Sequence, residues 1–127
     1  LKERVARRRE IHNYYEQQLE SLPGFTFLPE PQGSISNRWL TTVLIDPAQS
    51  GTGNESIRVM LERENIESRP LWKPLHAQPV FAGDPAFLNG TADRLFAQGL
   101  CLPSGSAMAD MQLDRICSLI KKEAHAK

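Results

Sequence analysis

"SRPLWKPLHAQPVF", Ser68 to Phe81, decides how this chain must be read. Proline stands at positions 70, 74 and 79. Each proline lacks an N–H and fixes φ, so the run can be neither a helix nor a central strand. It is a stiff, irregular loop, and between 69 and 76 it carries Arg69, Trp72, Lys73 and His76. Such loops are where a rigid scaffold presents its binding groups.

Working outward, "IESR" (66–69) reads as a short strand feeding the loop. Before it, Thr52 and Glu55 form a capping-box pattern ahead of Ile57, Met60 and Leu61 at helical spacing, and Asn65 closes that helix. "FTFL" (25–28) and "RWLTTVLI" (38–45) are rich in β-branched and aromatic residues and read as strands. Asp46-Pro47 ends the second. Residues 1–22 predict a helix whose apolar stripe is Leu1, Val5, His12, Tyr15, Leu19 and Leu22, stopped by Pro23-Gly24. On the far side of the loop come a brief helix from Thr91 to Gln98 ending at Gly99 as a C′ residue, a strand "LCLP" (100–103), and a last helix marked by Leu113, Ile116, Cys117 and Ile120. The expected fold class is α+β, a small antiparallel or mixed sheet of short strands packed with helices, in one domain over 1–127.

Composition narrows the function. The 127 residues are 40% hydrophobic and 24% charged, an ordinary globular balance. Fifteen basic residues cancel fifteen acidic ones, which argues against a general nucleic-acid or membrane-surface binder. Arg7, Arg8 and Arg9 look basic alone, but Glu3, Glu10, Glu16 and Glu20 offset them along the same helix. Cys101 and Cys117 are expected as buried thiols in a reducing, cytoplasmic setting. No apolar run approaches a membrane span, and the first residues are charged and amphipathic, unlike a secretion signal. The chain opens on Leu1, already inside a helical pattern, and is expected to be cut from something longer.

Familiar catalytic constellations are missing. His12, His76, His125, Cys101 and Cys117 stand at no zinc-ligand spacing. There is no G-x-S-x-G and no Walker A motif, and "PSGS" (103–106) reads as a turn before the last helix. Asn89-Gly90-Thr91 matches a glycosylation sequon but reads as a helix cap. The proline loop remains. Arg69 suits bidentate contact with phosphate or carboxylate, and Lys73 adds a point charge. Trp72 offers a flat face to a sugar or base, and His76 can orient a hydroxyl or move a proton. Equally, Trp72 and Leu75 can serve as core anchors while the charges face water. In "SNRW" (36–39), Asn37 and Arg38 either face a ligand or shape the turn into the second strand.

Taken together, "RRREIHNYYEQQL", "SNRWLTTVLID", "IESRPLWKPLHAQPVF" and "GLCLPSG" with a closing helix resemble the C-terminal domain of the DegT/StrS-type sugar-nucleotide aminotransferases, which use pyridoxal 5′-phosphate (PLP). "RPLWKPLH" with "QPVF" is similar to the branch acting on UDP-linked 4-keto-6-deoxy amino sugars of the bacillosamine type. The resemblance implies a catalytic, cofactor-binding N-terminal domain preceding Leu1, and so no PLP held by this chain alone. It implies a nucleotide-sugar substrate, an amino-acid donor and a homodimer with shared active sites. It also implies that His76 and Trp72 approach the sugar and cofactor face, while Arg69 and Lys73 act on the diphosphate or fix the loop. Lys73 matches a non-catalytic loop position of that family. The competing reading is a free-standing, non-enzymatic module that binds nucleotide sugars or glycans.

Overall fold

The computed structural model describes residues 1–125. Helix α1 (Lys2–Leu19) leads through a tight turn to β1 (Phe25–Phe27) and then β2 (Thr41–Ile45). Helices α2 (Pro47–Ser50) and α3 (Asn54–Arg63) follow, then the two-residue strand β3 (Arg69–Pro70). Two 3-10 turns, Leu75–Ala77 and Pro79–Phe81, precede α4 (Thr91–Gln98), β4 (Gly99–Leu102) and α5 (Asp110–His125). The sheet order is β1-β2-β4-β3 and every pairing is antiparallel. This is the expected α+β architecture, with the antiparallel option taken.

Burial explains the order. In β2, Thr41, Val43 and Ile45 are buried while Thr42 and Leu44 are half-buried, the alternation of a strand with one face on the core. β4 is buried at all four positions and has a strand on each side. Leu100 and Leu102 join Ile11, Tyr15 and Leu19 of α1, Ile57 and Leu61 of α3, and Ile116 and Ile120 of α5 in one core. The Tyr15 hydroxyl donates to the Pro103 carbonyl at 3.0 Å, tying α1 to the end of β4. Pro70 sits in the edge strand β3, opposite Leu100, where a missing N–H costs nothing to a further neighbour.

Several local expectations are corrected. Helix α1 stops at Leu19, and Leu1 and Val5 do not reach the core. The second strand begins at Thr41 rather than Arg38, because Arg38 has a left-handed φ of 46° and breaks the extended run. Asp46-Pro47 starts a helix as well as ending a strand: the Asp46 carboxylate accepts from Ala48 N and Pro47 takes the first helical turn. The Thr52–Glu55 capping box does not form. Gly53 is the N-cap, the Thr52 hydroxyl is buried without a partner, and Glu55 turns to Arg58 instead. The strand expected at 66–69 lies at Arg69–Pro70. Gly99 is not a left-handed C′ residue; its φ is −85° and it begins β4. Space explains this glycine. A Cβ there would stand 2.1 Å from Leu71 Cδ1 and 2.5 Å from the Leu95 carbonyl oxygen.

Candidate functional site

The proline loop leaves the sheet edge at Pro70, and Leu71 drops over the bare Cα of Gly99. The next residue, Trp72, is thereby carried outward and remains 65% exposed. It meets Trp39, itself 59% exposed, with ring centroids 5.8 Å apart and planes at 32°. Trp39 is held in turn. Its N–H donates to the Asn37 side-chain oxygen at 3.1 Å, and its carbonyl accepts from Arg8 and from Ser104.

The two rings stand at a groove of about 950 Å³. Its walls include Arg8 of α1, residues 65–72, residues 101–105, and Gln112, Arg115 and Ile116 of α5. Apolar walls with a few convergent polar groups are the usual makeup of a ligand site. Arg69 lines it with its guanidinium on Glu67 at 2.7 Å, and Arg115 donates to the Glu64 carboxylate at 2.8 Å. Cys101 lies in the wall, and burial pushes its thiol pKa up.

His76 lies elsewhere. It lines a smaller recess of about 510 Å³ with Leu75, Phe81, Asp84 and Leu88, and its Nε2 is 2.9 Å from Asp93 Oδ1. Lys73 is exposed and lines neither hollow; its carbonyl accepts from Gln78 Nε2 at 3.1 Å. Asn37 and Arg38 also line neither. Asn37 shapes the turn into β2, and Arg38 donates to the Leu28 carbonyl at 3.4 Å. Of the six sequence candidates, Arg69 and Trp72 share one groove and His76 stands at a second hollow. Trp39, Arg8, Ser104 and Arg115 are the groove residues that sequence reasoning did not single out as ligand contacts. For Trp39 the signal was its place in "SNRW"; the others are joined to the groove only by folding.

The profile of the DegT/DnrJ/EryC1/StrS aminotransferase family matches residues 1–121. The chain belongs to that family. It is 44% identical over 94% of its length to EpsN of Bacillus subtilis (strain 168), whose name places it provisionally among the pyridoxal phosphate-dependent aminotransferases. It is 29% identical over 92% of its length to the GDP-perosamine synthase of Vibrio cholerae. Among solved structures, DesI with its TDP-sugar product superposes with a TM-score of 0.85 at 26% identity, covering 96% of this chain and 32% of DesI. The chain spans about a third of these relatives: 31% of EpsN and 32% of the perosamine synthase.

A PLP site needs a lysine to carry the cofactor, an acid facing its pyridine nitrogen and a cup of donors for its phosphate. No lysine lines the groove or the recess. Lys73 lies on the exposed loop, and Lys121 of α5 donates to Gln18 of α1 at 2.6 Å. Neither hollow therefore presents the lysine that a PLP site needs. Nor do the described residues bring together three or more metal-ligating side chains. No described helix is long and apolar enough to cross a membrane.

Proposed function

We propose that this chain is the substrate-facing C-terminal domain of a PLP-dependent aminotransferase, preceded by a larger domain that holds the cofactor. The whole enzyme moves an amino group from an amino acid, glutamate, to C4 of a nucleotide-linked 4-keto-6-deoxy sugar for bacterial surface glycans. It works in the cytoplasm as a homodimer. The observation that carries this reading is the EpsN match, which runs along 94% of this chain yet 31% of EpsN. The names of the relatives support the sugar class: a GDP-perosamine synthase and an enzyme bound to its TDP-sugar product.

The site chemistry agrees with such a division of labour. The groove offers two aromatic faces and guanidinium groups, the side chains that sugar rings and phosphates select. On this reading the lysine that takes up the amino group lies on the preceding domain, and the chain alone is inactive. The test is kinetic, in the intact enzyme with a nucleotide 4-keto sugar. Trp72→Ala and His76→Ala each lower kcat/KM about tenfold or more, the worth of one good substrate contact, with cofactor absorbance retained. Wild-type kinetics in both variants would remove this loop from the substrate site.

A further inference from the structure

His76 and Asp93 belong to different elements. His76 sits in the 3-10 turn Leu75–Ala77, and Asp93 in the first turn of α4. Both are tied locally. The turn is tied by Ala77 N to the Pro74 carbonyl at 3.0 Å and Gln78 N to the Leu75 carbonyl at 2.9 Å, and Pro74 is buried. The start of α4 is tied by Thr91 N to the Asn89 side chain at 3.1 Å. The 2.9 Å contact between His76 Nε2 and Asp93 Oδ1 therefore joins two locally tied elements.

Its chemistry has one sense. An ionised carboxylate only accepts, so Nε2 carries the hydrogen and donates it to Asp93. In the neutral ring Nδ1 is then the nitrogen with the lone pair. Among the described residues the His76 ring makes no other hydrogen bond. With its side chain 23% exposed at the recess, Nδ1 is the ring nitrogen left for a ligand.

We propose that Asp93 is a positioning residue for His76. It holds the ring in the Nε2–H form, so that Nδ1 accepts a hydrogen bond from a hydroxyl of the sugar substrate. The role rests on the reading of this chain as a substrate-facing domain; the pairing itself does not. Asp93 lies near the N-terminus of α4, where an acid also stabilises the helix. The experiment must separate that effect from action through His76.

Two measurements do so. In the chain labelled with 15N-histidine, at a pH where the rings are neutral, His76 shows a protonated Nε2 and a bare Nδ1. Asp93→Ala moves both nitrogen shifts toward those of an unheld ring, and Asp93→Glu restores them. Unchanged shifts in Asp93→Ala overturn the pairing. In the intact enzyme, Asp93→Ala lowers kcat/KM about tenfold, the usual worth of a partner that orients a histidine. The Asp93→Ala/His76→Ala double variant is no worse than His76→Ala alone, because Asp93 acts through that ring. Losses that multiply would assign Asp93 a separate, structural role. If His76→Ala leaves the kinetics at wild type, the substrate-facing reading of His76 fails and the positioning role with it, while the nitrogen shifts still decide the pairing.

Discussion

Trp39 and Trp72 approach to a ring separation of 5.8 Å at 32°, and they are the two tryptophans of the chain. One comes from the turn before β2 and the other from the proline loop, so their contact joins the two segments at the mouth of the groove.

Tryptophan spectroscopy of this chain therefore reports on the groove alone. Trp39→Ala and Trp72→Ala should each abolish the same coupled circular-dichroism band. Each should cost no more than about 1 kcal/mol of stability, since both rings are more than half exposed. Difference spectra that merely add as two independent chromophores would show that the rings do not pair in solution.

Acid should weaken the fold through His12. That ring is 2% exposed, both nitrogens lack partners, and it meets Phe27 edge-on at 5.9 Å. Burial first, and then the charges of Arg38 and Arg9, hold its pKa down to about 4 from 6.5, against an opposing pull from Glu30. The folded pKa lies below the unfolded one, so the folded state binds the proton less readily. Stability is fully present above about pH 6.5 and is lost as pH falls toward 4, by a few kcal/mol, on the order of 3. Glu30, held down to about 2 chiefly by its hydrogen bond from Arg9, loses its contribution only at lower pH, below about 4.5. Urea melts at pH 7 and pH 5 test this: His12→Phe should remove most of the difference. An equal loss in the variant would place the acid sensitivity in another group.

Gly99→Ala should destabilise the chain by about 2–3 kcal/mol, in the range for forcing atoms into a packed site. The new methyl overlaps Leu71 and the Leu95 carbonyl. Leu71→Ala added to it should recover part of the loss, because the side-chain clash goes and the backbone clash stays. Thermal melts of the three variants check the order, and a Gly99→Ala chain as stable as wild type would refute the close approach.

The elements were legible where local chemistry decides them. Val43 and Ile45 alternate with half-buried neighbours, and Ile57 and Leu61 recur at helical spacing, so β2 and α3 could be read directly. The misreadings arose where a residue serves a distant partner or has two local uses. Thr52 and Glu55 match a capping box, yet Arg58 takes the carboxylate. Leu1 and Val5 fit the stripe of α1, but burial in that helix begins only at Ile11. Asp46-Pro47 reads as a stop and serves as a start. The lining of the candidate groove was half legible. Trp72 and Arg69 announce themselves within a stiff loop, whereas Arg8, Ser104 and Arg115 reach the groove from three separate segments, with nothing local to mark them.

Both cysteines should resist alkylation in the native chain. Cys117 is 2% exposed and burial pushes its thiol up to about 11; Cys101 is 8% exposed and raised for the same reason. The reactive thiolate is scarce in both. Mass spectrometry after iodoacetamide at pH 8 should show an unmodified native chain and two adducts in urea. Rapid labelling of the native chain would mean that the β4 or α5 environment opens readily.

The central claim is that this chain is the C-terminal third of a PLP enzyme. Its most direct test is the intact mass and absorbance of the polypeptide purified from the source cell. The account predicts a product of about three times 14.3 kDa carrying bound PLP, in line with the 31% share of EpsN that this chain covers. A cellular product of 14.3 kDa without PLP would contradict it and leave a free-standing binding module in its place.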